Sequence, residues 1–178
     1  MAASSPRPRV FVSGSAIGYY GDRADERLSE SATAGRDVLG DLCVAWEAAA
    51  RQAEALGVRV VTLRTGLVLG RDGGMLAAVR PVFQAGLGGP IGSGRQYQSW
   101  IHLHDLANVI ATALVDQRYR GAVNGVGPEP VTNREFARAL GRELRRPAIL
   151  PVPAAALRAV LGEASIVLLG SQRVEPAA

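Results

Sequence analysis

Val10-Phe11-Val12-Ser13-Gly14-Ser15-Ala16-Ile17-Gly18-Tyr19-Tyr20-Gly21 is the first patterned stretch of this 178-residue chain. Val10 to Val12 is a short β-branched and aromatic run after Pro6 and Pro8, which predicts a buried strand running into a Gly/Ser loop. From Asp37 to Leu56 the residues Leu39, Leu42, Cys43, Trp46, Ala49, Ala50, Ala53 and Leu56 recur at helical spacing, and Gly57 supplies a stop. Val58 to Arg64 then reads as a second strand. Its Val60-Val61 and Leu63 positions make the near-continuous apolar run of a parallel strand covered on both faces. Strand, helix and strand at that separation form a βαβ crossover, so the fold class is α/β with a parallel sheet.

Downstream, the pattern predicts a helix from Met75 to Gln84, bent at Pro81, and a glycine-rich loop from Gly86 to Gly94. Tyr97 to Leu103 reads as extended. Leu106, Val109, Ile110, Ala113 and Leu114 form the stripe of a helix starting at His104 or Asp105, with Asp105 available as its cap. Ala122 to Val126 reads as another strand. Thr132-Asn133-Arg134-Glu135 is a capping box with Val131 and Phe136 as its staple, so a helix starts there and ends near Leu144. Beyond Arg145-Arg146-Pro147, the Pro151 and Pro153 punctuation and an Ala/Leu-rich stretch to Gly170 predict one or two small helices apart from the main sheet.

Composition narrows the function. Hydrophobic residues at 48% and charged residues at 20% suit one ordinary domain with a core. No apolar stretch approaches the roughly 18 residues a membrane span needs, and Met1 to Pro8 lacks the apolar centre of a signal peptide, so no membrane partner and a cytoplasmic address are expected. Cys43 is the only cysteine, which excludes a disulfide framework within the chain. The formal charge is +4, but acidic residues are interspersed with basic ones, so no nucleic-acid partner is expected. All 20 basic residues are arginine, which excludes lysine-dependent catalysis.

Some apparent motifs fail on context. Gly86, Gly89 and Gly92 reproduce the spacing of a dinucleotide loop, but they follow a helix and enclose Pro90, whereas a phosphate loop follows a strand and opens a helix. His102-Leu103-His104-Asp105 lacks an identifiable second shell, so no metal is expected. No Gly-x-Ser-x-Gly esterase elbow occurs. What remains is the Ser-Gly-Ser and Tyr-Tyr-Gly segment at the carboxyl edge of a parallel sheet, where open α/β sheets bind ligands. Its bland alternative is a Gly/Ser turn with two packing tyrosines.

The segments SGSAIGYYGD, AWEAAA, LRTGLVLGRDGG, GLGGPIGSGRQ, WIHLHDLA and NGVGPEPVTNREFA, in that order, resemble the atypical extended short-chain dehydrogenase/reductases, NAD(P)-dependent epimerase family proteins of nucleoside-diphosphate-sugar epimerase type. The resemblance covers nearly the whole chain. It implies the C-terminal portion of a Rossmann-like doubly wound parallel sheet plus a small, mostly helical C-terminal subdomain. The divisions expected are a disordered lead at 1–8, a partial Rossmann-like, substrate-side region at 9–146, and the start of a small domain of unknown function at 147–178. With only nine residues before Val10, the glycine-rich phosphate loop falls outside the chain, which reads as truncated at both ends. The first strand is then an unpaired apolar edge open to self-association.

By the same resemblance, Ser15 matches the serine that hydrogen-bonds a substrate oxygen, where a hydroxyl donates as charge develops during hydride transfer. Val12, Ser13 and Gly14, with Arg64, Thr65, Gly66 and Leu67, match cofactor-side positions, Gly66 permitting a close approach to the nicotinamide. Arg95, Gln96, Trp100 and His102 match the substrate-side wall. The usual acid is a Tyr-x-x-x-Lys dyad; counted back from Glu47, its places fall at Leu39 and Cys43. Tyr19 or Tyr20 remains as a phenol, but without a neighbouring cation a tyrosine keeps its ordinary pKa of about 10. The cofactor implied is NADP or NAD, bound by a full-length form and weakly or not at all by this chain. The substrate implied is a small molecule, a nucleotide sugar or carbonyl compound. The alternative is a non-catalytic ligand- or protein-binding module on a degenerate reductase fold.

Overall fold

The apolar residues of the second predicted strand divide by parity, and the structure is layered accordingly. A computed structural model describes residues 6–177 apart from the side chain of Glu163. The first five residues of the expected lead therefore lie outside the described residues.

In chain order, β1 (Val10–Ala16) passes into a single 3₁₀ turn (Ile17–Tyr20), and a loop carrying β2 (Arg27–Leu28) leads to α1 (Val38–Arg51). Then come β3 (Arg59–Thr65), β4 (Leu67–Leu69), α2 (Gly74–Gln84), β5 (Tyr97–Gln98), β6 (Trp100–His102), α3 (Leu103–Val115), β7 (Gly121–Gly125) and β8 (Val131–Thr132). The chain continues through α4 (Asn133–Glu143), α5 (Ala154–Leu161), α6 (Ile166–Leu169) and β9 (Arg173–Val174). The central sheet has the order β1-β3-β7, all parallel, with Ser15 opposite Arg64 and Arg64 opposite Asn124. Among the described residues β1 pairs only with β3.

Side chains of β3 alternate across the sheet, as strand geometry requires. Val60 packs with Ala50, Ala53, Val58, Phe11 and Leu56 on the α1 face. Val61 and Leu63 pack with Ala113, Val123, Val12, Leu106 and Val109 on the α3 face. Each such fully buried Val or Leu contributes about 1.5–3 kcal/mol over leaving it in water. The Asp37 carboxylate caps α1 by accepting from Gly40 N, and a 3₁₀ turn after α1 ends at Gly57 in the left-handed region (φ 75°). The predicted capping box at Thr132 and Glu135 is formed in full.

Several expectations change. The inward stripe of α1 includes Glu47, which is buried, while Leu42 and Trp46 are exposed: the helix is rotated so that Cys43, Glu47, Ala50 and, beyond it, Ala53 face the sheet. Tyr97 to His102 is extended, divided into β5, antiparallel to β8, and β6, parallel to β4, and Leu103 already belongs to α3. α3 starts at Leu103, and its cap is His102, whose Nδ1 accepts from His104 N, so Asp105 lies in the first turn without capping it. The loop at 86–94 pairs its backbone with residues 150–152, through Leu150 N to Gly88 O, Gly92 N to Val152 O and Val152 N to Pro90 O. The stretch to Gly170 forms the small helices α5 and α6 outside the central sheet, as expected, and beyond it the chain returns as β9, parallel to β2 in a separate two-stranded sheet.

Gly66 and Gly14 differ in why they lack side chains. A Cβ on Gly66 would stand 2.6 Å from Ser99 O and 2.7 Å from Val126 Cγ1, whereas one on Gly14 would meet nothing within 4 Å. Gly66→Ala is therefore expected to destabilise by about 1–3 kcal/mol through overpacking, while Gly14→Ala changes stability little or raises it. Chemical denaturation of the two variants checks this; equal midpoints would contradict it.

Candidate functional site

Parity puts Arg64 on the α1 face of β3, at the strand's carboxyl end, and helical spacing puts Glu47 beneath it on α1. Both side chains are buried, at 3% and 1% exposure, so the sequence places a cation and an anion inside the same layer. They form a two-pronged pair: Arg64 Nε donates to Glu47 Oε1 at 2.8 Å and Nη2 to Oε2 at 3.0 Å. Ser15, opposite Arg64 on β1, donates its hydroxyl to Glu47 Oε1 at 3.0 Å, and Arg51 Nη2 donates to Oε2 at 2.8 Å. The carboxylate is thereby saturated on both oxygens, which is the condition for a buried charge to be tolerated.

The remaining Arg64 prong faces the turn after β1. Nη1 donates to Tyr20 Oη at 3.0 Å and to Glu30 O at 3.2 Å. Tyr20 donates to Asn124 Oδ1 at 2.7 Å and has no exposed surface. Tyr19 is half-buried and stands edge-on to Tyr20, and the Arg64 guanidinium lies 3.4 Å from its ring centroid, a close cation–π contact. Under this turn, Leu39 Cβ and Cys43 Sγ lie 3.4 and 4.0 Å from where a Gly18 side chain would stand.

Protonation follows from this enclosure. Burial works to raise the Glu47 carboxyl, but the hydrogen bonds and charge of Arg64, with Ser15, outweigh it and hold the group below the ordinary 4.5. Burial opposes the charge on Arg64 too, yet Glu47 and Tyr20 raise it above its ordinary value. For Tyr20 burial wins: the phenol is pushed above the ordinary 10.0 although Arg64 and Asn124 pull it down. The expectation of a phenol without a neighbouring cation is thus corrected for Tyr20: the cation is present, and desolvation exceeds it. Burial likewise pushes the Cys43 thiol up.

The other candidates are distributed around this centre. Ser13 Oγ donates locally, to Gly14 O, and Val12 belongs to the α3-side core. Thr65 Oγ1 donates to Leu63 O, Leu67 N to Ser99 O, and Leu67 pairs with Trp100 in the β4–β6 ladder. Arg95 is exposed on its loop, and His102 is exposed at the start of α3. Gln96 is buried, its Nε2 donating to Ile91 O at 3.0 Å and Leu168 O at 3.3 Å, so its amide joins the loop to the C-terminal helices.

Sequence reasoning used Glu47 only as a landmark and passed over Asn124 and Glu30. Glu47 was detectable, as an acid at the i+4 position from Cys43 on an otherwise apolar helical stripe. Asn124 carried no local signal, because its partners lie at Tyr20 and Glu175.

A parallel sheet of order β1-β3-β7 with helices packed on both faces is Rossmann-like. The comparisons agree. The Arabidopsis thaliana chloroplastic SDR39U1 homolog, an epimerase family protein, is 47% identical over 170 residues, covering 96% of this chain and 49% of that protein. The crystal structure of human epimerase family protein SDR39U1 (isoform 2) with NADPH matches with a TM-score of 0.92 at 39% identity, covering 98% of this chain and 60% of that one. A nucleoside-diphosphate sugar epimerase from Corynebacterium glutamicum matches with a TM-score of 0.70 at 34% identity, over 92% of this chain and 38% of that one. Residues 152–178 match a domain of unknown function, DUF1731. The chain is a homologue of the epimerase family proteins and spans about half the length of such relatives. Among the described residues no helix is long and apolar enough to cross a membrane.

Removing one partner of the buried pair tests its weight. Arg64→Met is expected to cost about 3–5 kcal/mol at neutral pH, since it strands a buried carboxylate. Because the folded-state pKa of Glu47 is lowered, its contribution is present above the ordinary 4.5 and disappears as pH falls through the folded value. The gap between wild type and variant should therefore narrow below that pH in urea unfolding; a gap independent of pH would contradict this account.

Proposed function

We propose that this chain is the substrate-side half of an NAD(P)-dependent reductase or epimerase-like protein, in which the nicotinamide of NADP or NAD meets the carboxyl ends of β1 and β3. The observation that carries the reading is the convergence of Ser15, Tyr19, Tyr20 and Arg64 on those two adjacent strand ends, where open α/β sheets hold ligands. The residues suit the cofactor: Gly14 is exposed, with free space where a side chain would stand. Gly66, by contrast, is glycine for the protein's own packing.

When bound, the cofactor supplies or accepts hydride. Glu47 and Arg64 hold Ser15 and the two tyrosines in register beside it, with Arg95, Trp100 and His102 on the side of a nucleotide-sugar or carbonyl substrate. Leu39 and Cys43 occupy the places of the usual Tyr-x-x-x-Lys dyad, and the chain has no lysine, so a proton donor of that type is not assigned. Ser15 is the first candidate to contact the reacting oxygen, and Tyr19 is the accessible phenol. The division into residues 9–146 and 147–178 is part of this reading, as is self-association through the free edge of β1.

One observation favours the second reading, a non-catalytic ligand- or protein-binding module: the protons of both Ser15 and Tyr20 are committed to internal acceptors.

Amide NMR during titration with reduced nicotinamide mononucleotide, and separately with NADPH, tests the placement. Shifts centred on Ser13, Gly14, Thr65 and Gly66 at millimolar ligand are expected, with little gain from the rest of NADPH because no strand–glycine loop–helix unit lies among the described residues to hold its pyrophosphate. No shifts, or shifts at the amino ends of the strands, would remove the reading.

A further inference from the structure

Ser171-Gln172-Arg173-Val174-Glu175 contains one apolar residue among polar ones, a pattern that by itself describes an exposed tail. Its environment is the opposite. Val174 has no exposed surface and completes a cluster with Tyr20, Leu28 and Val126. The segment is fastened at Ser171, Val174, Glu175 and Ala177. Ser171 accepts from Arg23 N through its carbonyl, its hydroxyl donates to Ala24 O, and its Oγ accepts from Tyr97 N. Val174 N donates to Ser99 Oγ at 2.8 Å, and Glu175 N donates to Leu28 O at 2.9 Å. Ala177 N donates to Glu30 Oε2 at 3.2 Å.

A further attachment reaches the polar centre. Asn124 Nδ2 donates to Glu175 O at 3.1 Å while its Oδ1 accepts from Tyr20 Oη at 2.7 Å. An amide can point either way, and its neighbours decide which end is donor and which acceptor. A carbonyl at Glu175 requires the NH₂ on that side, which turns the oxygen towards Tyr20. The phenol then sends its proton to Asn124 and offers its lone pairs to Arg64 Nη1.

We propose that residues 171–177, within the stretch matching the domain of unknown function, are a strap that positions the candidate site, with Asn124 as the positioning residue that transmits its hold to Tyr20 and Arg64. This deepens the reading of the β1 and β3 ends as the functional site and rests on it for its meaning. Without the strap, Val174 no longer covers the Tyr20 ring, the Asn124 amide is free to turn, and water competes for the phenol. Glu30 acts in parallel: its carboxylate receives both Asn124 N and Ala177 N, so strap and β7 share one acceptor.

The test is hydrogen exchange by NMR on the full chain, comparing wild type with Val174→Ala. The signals followed are the amides of Val174 and Glu175, the Asn124 side-chain NH₂, Arg64 Nε–H, and the β3 amides from Val60 to Leu63. In the variant the Asn124 and Arg64 side-chain protons should exchange about tenfold faster, the scale of one net hydrogen bond, while β3 amides keep their protection. Two results would overturn the proposal: fast strap amides with unchanged Asn124 and Arg64 protons, or equal acceleration of everything including β3, which is general destabilisation. Should Val174→Ala not fold, wild type in low urea decides: strap amides and Asn124 NH₂ must open in one step with the same urea dependence, and separate openings refute the coupling. None of these outcomes depends on cofactor binding, so the nicotinamide placement stands or falls separately.

Discussion

The buried ion pair between Glu47 and Arg64 is the constraint around which the rest is arranged. Two charges inside a protein cost several kcal/mol each in lost hydration, and their attraction repays this only when every polar position is matched. Here the matching draws in a residue from each neighbouring element: Ser15 from β1, Arg51 from the next turn of α1, Tyr20 from the 3₁₀ turn and Glu30 from the loop beyond it. The pair therefore dictates how α1 sits on the sheet, with Glu47 inward and Trp46 outward. It also dictates that the chain after β1 curls back over the strand end. A partly satisfied network of this kind is worse than an apolar core, so its members are held as a unit.

The same constraint bears on the chemistry proposed for the strand ends. A hydroxyl already donating to a carboxylate is fixed in direction, which favours its use as an oriented dipole over its use as a mobile acid. A phenol fully enclosed and raised in pKa by burial is an internal brace. Tyr19, half-buried with the guanidinium against its ring, is the neighbour that keeps a path to solvent. In this lysine-free chain the cation beside the two tyrosines is Arg64, supplied by β3.

Long periodic elements were legible in the sequence. β1, β3, α1 and α4 follow from strand and helix periods, a stop at Gly57 and a capping box, all local in sequence. The two-residue strands β2, β8 and β9 were not legible, because each exists only through a partner far along the chain; β9 pairs with β2 from the other end of the chain. Tyr97 to Leu103 read as extended, and its division into β5 and β6 with different partners was not legible. The place of the site was legible from Ser13 to Tyr20, but its organisation was not. Ser15 and Arg64 were singled out by resemblance, while the reason they are near each other, a carboxylate on α1, showed only as an acid interrupting an apolar stripe. Gln96 read as a wall residue, whereas its amide is taken up by two buried carbonyls.

The most direct measurement is a double-mutant cycle on the pair itself, combining Glu47→Gln and Arg64→Met and reading stability by chemical unfolding at neutral pH. If the pair organises the site, the two changes are strongly coupled, by about 2–3 kcal/mol, and the double variant is little worse than either single one. Additivity within about 0.5 kcal/mol would mean that the two charges act independently, and the account built on them would fail.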